Sequence, residues 1–188
     1  MANITENLLV KGARGNVGKQ FVYRTEGDNT HITKMPRGTK RKPKSNELEV
    51  RELFAAAARY GRSATASQEW KEAYKKKAGP GKRAFGVAFK DYLTAPEVRA
   101  INTLKYNGAP GSVVTIQALD DFKVAEVRVS IYDATGALLE EGIGVQDTVN
   151  ANAWKYTTTQ NNSTLAGSVI KAIAIDVPGN TGSLEITL

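Results

Sequence analysis

Alternation of apolar and polar residues predicts a β-hairpin near the start of the chain. Phe21 and Tyr23 stand at alternate positions in "KQFVYRT", and "THITKM" alternates again before Pro36. The intervening "EGDN" has the composition of a turn. We therefore predict strands over residues 19–25 and 30–35. Because two strands alone are marginally stable, we expect the hairpin to pair with, or lie on, another element.

Apolar residues then recur at helical spacing in three segments, "SNELEVRELFAAAARYG", "SQEWKEAYKKKAG" and "KRAFGVAFKDYL". They predict three short helices, the first capped by Ser45 and stopped at Gly61, and the second capped by Ser67. A further helical turn or two is predicted after Pro96. Short helices are marginal alone, so we expect their stripes to bury against each other. The stripes comprise Val50, Leu53, Phe54 and Ala57, then Trp70, Ala73 and Tyr74, then Phe85, Phe89, Tyr92 and Leu93.

From about residue 106 the pattern changes to short alternating or β-branched runs, such as "GSVVTIQAL", "AEVRVSIYD" and "SVIKAIAID". Turn sequences such as "DATG" and "VPGNTG" separate them, and this spacing predicts a β-sandwich. The predicted fold class is therefore α+β. It comprises an arm with a hairpin and a basic linker (1–44), a small helical domain (45–105) and the sandwich (106–188). The residues predicted to face the sandwich core are Val129, Ile131, Trp154, Ile173 and Ile175.

Charge changes sign at the same place. Residues 1–105 contain 22 Lys and Arg against 10 Asp and Glu, whereas residues 106–188 contain 4 against 9. This asymmetry indicates two modules with different partners, and it favours head-to-tail association of copies. The chain has no cysteine, which excludes disulfides and thiol chemistry.

The last segment resembles bacterial immunoglobulin-like or fibronectin-III-like modules. The resemblance lies in "VRVSIYDATGALLEEG", in the strand with Trp154 and Tyr156, and in "IKAIAIDVPGNTGSLEITL". The whole layout, with a Gly-rich start, an "FVYR" hairpin, a basic segment with prolines and an "ELFAAAARY" helix, is similar to that of uncharacterised structural proteins of bacteria and their phages. The resemblance implies an immunoglobulin-like sandwich within a component of a virion or phage-like particle, and it transfers no functional residue.

Candidate catalytic residues are few. His31 is the only histidine and lies in the predicted hairpin, where an exposed strand residue is the simpler interpretation. A site built from several histidines is excluded. Asp133 is typical of a turn, as is Asp176 with Asn180, although such oxygens could also hold Ca²⁺. We predict that the chain is not an enzyme and has no cofactor and no metal.

Two carboxylate pairs, Asp120-Asp121 and Glu140-Glu141, are also present. Neighbouring residues on a strand point to opposite faces, so neither pair forms an acid–base couple by sequence alone. We interpret both pairs as solvated charges at edges or turns.

Basic segments are the remaining candidate for chemistry, because Lys and Arg contact phosphates and release counterions. Tyr60, Trp70 and Tyr74 lie nearby and could stack on bases, but the same residues are expected in the helical core. A nucleic-acid-binding protein is therefore the alternative function. The basic residues are Lys40, Arg41, Lys42, Lys44, Lys75, Lys76, Lys77, Lys82 and Arg83.

The leading hypothesis is a structural assembly protein, a subunit of a phage capsid or tail or of a related particle. Its N-terminal arm would clasp another copy through Phe21, Tyr23, Ile32 and Met35, by strand addition or by covering the apolar side chains. The positive arm would meet the acidic pairs of a neighbour's sandwich, which decorates or bridges. Expected partners are the chain itself and other structural proteins, with possible non-specific nucleic-acid contact, no membrane and no small-molecule substrate. "MANITENLLV" is neither a signal peptide nor an anchor, so we expect synthesis in the bacterial cytoplasm.

Overall fold

The computed structural model describes residues 2–4, 6–10, 12–26, 29–36, 38 and 42–188, with the backbone alone at residues 2, 3 and 26. The chain divides into two compact units, Met1–Phe89 and Lys90–Leu188. In the described residues, three helices and three antiparallel sheets make the fold α+β, as predicted, and the second unit is mainly β and sandwich-like. None of the described helices has the length and apolar character needed to span a bilayer.

The first unit begins with a four-stranded antiparallel sheet. Its strands are β1 (Ala2–Asn3), β2 (Gly15–Val17), β3 (Phe21–Glu26) and β4 (Asn29–Lys34), in the order β1-β4-β3-β2. The predicted hairpin is confirmed as β3 and β4, with Tyr23 opposite Ile32.

The segment before the hairpin forms strands that we did not predict within the arm. It supplies both outer strands, β1 on β4 and β2 on β3. Gly12, Gly15 and Gly18 have φ angles of 78°, 100° and 57°. Residues with side chains rarely adopt these angles, so the three glycines let the chain fold back beside the hairpin.

The described helices are α1 (Ser45–Ala66), α2 (Gln68–Lys77) and α3 (Ala84–Leu93). The boundary between the units falls inside α3, after Phe89. The number of helices agrees with prediction, but Gly61 lies inside α1 rather than ending it. The reason is packing: a Cβ at this position would lie 3.0 Å from the Phe85 ring. Gly61 therefore leaves room for the Phe85 ring to pack against α1, and it does not end the helix.

The helical core is smaller than the stripes predict. Ala57 and Tyr74 are fully buried, and the hydroxyls of Tyr60 and Tyr74 are 2.7 Å apart. The prediction that the first stripe is buried is wrong for three of its four residues, since about half of each remains exposed. These residues are Val50, Leu53 and Phe54.

The second unit contains eight strands in two sheets. They are β5 (Glu97–Lys105), β6 (Val113–Leu119), β7 (Val124–Tyr132), β8 (Leu138–Ile143), β9 (Val145–Gln146), β10 (Ala153–Thr157), β11 (Val169–Asp176) and β12 (Thr181–Thr187). One sheet has the order β5-β6-β10-β9 and the other the order β12-β11-β7-β8. Apolar side chains from both sheets form one core.

The helical turn predicted after Pro96 is wrong. The segment forms β5, in which Ile101 lies opposite Ile116 of β6. Residues 97–105, which we predicted to close the helical domain, therefore belong to a sheet of the second unit. A β-branched run beside a strand partner outweighs a weak helical pattern.

Three of the five predicted core residues face inward: Val129 and Ile131 are fully buried and Trp154 is 5% exposed. The prediction is wrong for Ile173 and Ile175, which are only half-buried. In β11 the fully buried side is formed by Ile170, Ala172 and Ala174. Lys171 shares the side of Ile173 and Ile175 by alternation, and that side faces away from the core.

Candidate functional site

One face of the N-terminal sheet carries a group of apolar side chains, with the exposed Lys34 opposite Phe21 on the same side. Phe21 and Tyr23 of β3 and Ile32 of β4 point to the same side, as alternation and the register require. The rings of Phe21 and Tyr23 meet edge to face with centroids 5.5 Å apart. Val17 of β2 lies opposite Phe21 and is 44% exposed. We call Val17, Phe21, Tyr23 and Ile32 the sheet face below.

Among the described elements the strands of this sheet have their extensive contacts with one another, and no described helix packs extensively on them. Phe21, Tyr23 and Ile32 are half-buried. Met35, the fourth predicted contact residue, follows the end of β4 at an odd spacing from Ile32. Continued alternation would point it to the opposite side, so the structure groups three of the four.

The structure describes seven of the nine predicted basic residues. Lys40 and Arg41 lie outside the described residues, and Lys42 and Lys44 are exposed before α1. Five others are exposed on α2 or in the turn that follows it. They are Lys75, Lys76, Lys77, Lys82 and Arg83.

A groove of about 660 Å³ lies among α1, α2 and the start of α3. Lys71 and Lys75, one helical turn apart on α2, line it together with Arg83 and Phe85. Lys75 Nζ donates to the carbonyl of Lys82 at 3.0 Å, which fixes its position. This set is called the helical groove. Two of its members, Lys75 and Arg83, are among the basic residues that the sequence predicts, whereas Lys71 is not and Phe85 was expected in the helical core.

The aromatic residues that we expected near the basic segments are placed differently. Tyr74 is fully buried and cannot stack on a base. Trp70 is 38% exposed and packs against Tyr74, with ring centroids 6.3 Å apart. The ring that borders the helical groove is Phe85, which is also 38% exposed.

Three carboxylates meet in the second unit: Asp91 of α3, Asp120 after β6 and Asp176 at the end of β11. One oxygen of each lies within 4.8 Å of the others, and Asp91 and Asp176 are 1% and 2% exposed. Burial raises the pKa of Asp176, and the charge of Asp120 adds to the effect. Sequence analysis missed this cluster, because its members are far apart in the chain.

The cluster joins a turn to the end of α3. Asp176 Oδ1 accepts hydrogen bonds from the backbone N–H groups of Gly179 (2.8 Å) and Asn180 (2.6 Å). The Asn180 side chain donates to Asp176 Oδ2 at 2.8 Å and lies 3.2 Å from the carbonyl of Tyr92. Asp176 is thus the turn former that the sequence predicts, and it is buried as well. The oxygens of Asp176 accept hydrogen bonds within the turn, so we interpret the acidic cluster as a structural link between the turn and the end of α3.

Of the pair Glu140-Glu141, which we predicted to be solvated, only Glu141 is exposed. Glu140 is 9% exposed and accepts hydrogen bonds from the Tyr156 hydroxyl (3.1 Å) and from the backbone and hydroxyl of Thr159 (both 2.8 Å). Burial and the neighbouring Glu140 carboxylate raise the pKa of Tyr156 to about 12. Glu141 points outward and accepts from the Ser130 hydroxyl.

The pair Asp120-Asp121 is also engaged. Asp120 Oδ2 accepts from the backbone N–H groups of Phe122 (2.9 Å) and Lys123 (2.8 Å). Asp121 pairs with Lys90 at 2.9 Å. The acidic partners that we predicted for a neighbour's arm are therefore wrong for Glu140 and Asp120, whose carboxylates are used within the unit.

No protein-family model matches the chain, and no curated protein matches it. Among solved structures, CopC from Methylosinus trichosporium OB3b is similar at 15% identity with a TM-score of 0.35. The match covers 48% of this chain and 87% of CopC. A likeness of this size supports no inference about function.

Proposed function

We propose that this chain is a structural assembly protein, a subunit of a phage capsid or tail or of a related particle. In this proposal the sheet face of one copy contacts another copy. The observation that carries it is the sheet face itself, in which Val17, Phe21, Tyr23 and Ile32 stay partly exposed and no described helix packs extensively on the sheet. Apolar side chains grouped at a surface in this way are typical of contact surfaces.

Contact through the face fits the sheet better than the strand addition we first considered. Both strands of the hairpin already have partners, because β1 pairs with β4 and β2 with β3. The outer strands are two and three residues long and offer little edge to another chain. Apolar side chains are therefore the stronger source of affinity.

Charge complementarity favours a second copy as the occupant. Residues 1–89 contain 19 Lys and Arg against 8 Asp and Glu, whereas residues 90–188 contain 7 against 11. The first unit of one copy is thus attracted to the second unit of the next. Repeated head-to-tail contacts of this type form rings or filaments.

We also propose that the second unit is an immunoglobulin-like domain that decorates or bridges the assembly. The strand order supports this. If the strands from β5 onwards are named as in that fold, β5, β6 and β10 correspond to A, B and E, and β7, β11 and β12 correspond to C, F and G. Strand β8 then takes the place of C′ beside C.

The experiment compares two doubly substituted full-length chains by light scattering. Tyr23→Thr with Ile32→Thr alters the sheet face, and Val22→Thr with His31→Thr alters the opposite side of the same two strands. Threonine keeps the strand propensity, so both variants should retain the sheet, as circular dichroism checks.

We expect the parent to assemble, the sheet-face variant to remain at the monomer mass of 20.3 kDa, and the opposite-side variant to behave as the parent. High salt should weaken the assembly, since exposed charges are screened beyond about 10 Å at about 0.1 M. A parent that stays monomeric at every concentration, or two variants that assemble equally, would refute the proposal.

A further inference from the structure

We propose that the helical groove binds single-stranded nucleic acid, with Lys71, Lys75 and Arg83 contacting phosphates and the Phe85 ring stacking on a base. This inference goes beyond the assembly function and uses none of the residues of the sheet face. It rests on the charge, the burial and the packing of the groove residues.

Three cationic side chains, those of Lys71, Lys75 and Arg83, line the groove. Among the described lining residues Glu72 is the one carboxylate, and it accepts a hydrogen bond from Gln68. No described carboxylate lies within ion-pair distance of Lys71 or Arg83. Exposed ammonium and guanidinium groups of this kind bind phosphate and release counterions from the nucleic acid.

The floor of the groove supplies an aromatic platform. The Phe85 ring rests on Gly61, where a Cβ would lie 3.0 Å from it, and its centroid is 6.0 Å from that of Phe89. Packing against Gly61 and Phe89 thus fixes the ring, while 38% of the Phe85 residue remains exposed. A fixed, partly exposed ring beside cations is the arrangement that binds unstacked bases.

The aromatic floor favours a single strand over a duplex and over an acidic protein segment. Bases in a duplex are stacked on each other, so their faces cannot reach Phe85. An acidic peptide would use the cations but would gain little from the ring. Lys76, Lys77 and Lys82 lie nearby in the chain and extend the positive charge beyond the groove.

The test measures binding of labelled oligothymidylate of about 20 nucleotides to the full-length chain by fluorescence anisotropy over a range of salt. The groove variant replaces Lys71, Lys75 and Arg83 by Gln. The control variant replaces the exposed Lys42, Lys44 and Lys105 by Gln, which removes the same charge outside the groove lining. Circular dichroism and melting check that both remain folded.

We expect the groove variant to bind at least about tenfold more weakly and the slope of log affinity against log salt to fall by about 2. The control should change binding by less than about threefold, because only general attraction is lost. Phe85→Leu, which keeps an apolar contact with Gly61, should weaken binding by about fivefold or more and leave the slope unchanged.

Three outcomes would overturn the inference. One is a control variant that loses as much binding as the groove variant. Another is a Phe85→Leu chain that binds as the parent does. The third is equal or tighter binding of a duplex, or of polyglutamate, which would assign the groove to another class of partner. None of these outcomes bears on the assembly of the Tyr23 and Ile32 variants.

Discussion

Replacing Asp120 by Asn tests whether the acidic cluster costs the second unit stability. Asp120 Oδ1 is buried and accepts no hydrogen bond from a described residue, whereas Oδ2 accepts two backbone N–H groups. Asparagine keeps the second oxygen, and it places an amide donor beside Asp91 and Asp176. The substitution therefore replaces a repulsive neighbour by a hydrogen-bond donor.

The magnitude follows from the spacing of the oxygens. Two unit charges about 4.8 Å apart repel by roughly 3 kcal/mol at an effective dielectric constant of about 20. Hydrogen bonds from the backbone N–H groups of Gly179 and Asn180 to Asp176 offset part of this repulsion, whereas burial raises the pKa of Asp176. We therefore expect Asp120→Asn to raise the free energy of unfolding by about 1–3 kcal/mol at neutral pH.

The pH dependence has a definite sign. A carboxyl group whose pKa is raised by folding stabilises the folded chain at low pH, and that contribution is lost as the pH rises through the folded value. The advantage of Asp120→Asn should thus be full above the raised pKa of Asp176 and shrink as the pH falls toward 3.8. Asp147 has a lowered pKa of about 2, so its contribution is lost in both proteins below 3.8 and cancels in the difference.

The assay is urea denaturation in the presence of a chelator at several pH values, followed by tryptophan fluorescence. Glu185→Gln is the control, because it removes one exposed carboxylate from β12 and should change stability by less than about 0.5 kcal/mol. An Asp120→Asn chain less stable than the parent at neutral pH would refute the reasoning, since the carboxylate of Asp120 would then contribute a favourable interaction.

Two further predictions test the packing by the same denaturation assay. Trp154→Ala should cost about 3–5 kcal/mol and Ile173→Ala about 1 kcal/mol, because Trp154 is 5% exposed and Ile173 faces away from the core; equal losses would contradict the assigned side of β11. Gly182→Ala should cost more than about 3 kcal/mol, since its Cβ would lie 1.8 Å from the carbonyl oxygen of Pro96, whereas Gly86→Ala, with open space on α3, should stabilise by about 1 kcal/mol. A tolerated Gly182→Ala would mean that β12 and the start of β5 are less tightly apposed.

The spacing of apolar residues was sufficient to predict the hairpin, most strands of the second unit and the three helices. Each of these elements is long enough to show the alternation of a strand or the period of a helix. Strands β1 and β2 have two and three residues, which is too few for a pattern to be visible. Both sides of β11 are apolar, so hydrophobicity alone led us to place the larger side chains of Ile173 and Ile175 in the core. The charge of Lys171, on the same side, is the signal that would have corrected the choice.

The sites depend on contacts between distant parts of the chain, and sequence reasoning reached them less well. Gly61 and Phe85 are 24 positions apart, and only the folded structure shows that the Phe85 ring packs on Gly61. Asp91 lies in α3, Asp120 follows β6 and Asp176 ends β11, so the three meet only because these elements pack together. No local sequence pattern predicts that these three carboxylates lie together, so the cluster is recognised only in the folded chain.

The two proposals are linked by charge balance. The second unit has a net charge of −4 and the first unit +11, so a head-to-tail contact leaves +7 on every copy. Charges of one sign accumulate as copies are added and oppose further growth, unless an anion supplies the balance. A single strand in the helical groove would supply several phosphates for each copy. If both proposals hold, oligothymidylate should increase the mass of the parent assembly and should not do so for the groove variant, whereas loss of the sheet face should abolish assembly while leaving the strand bound.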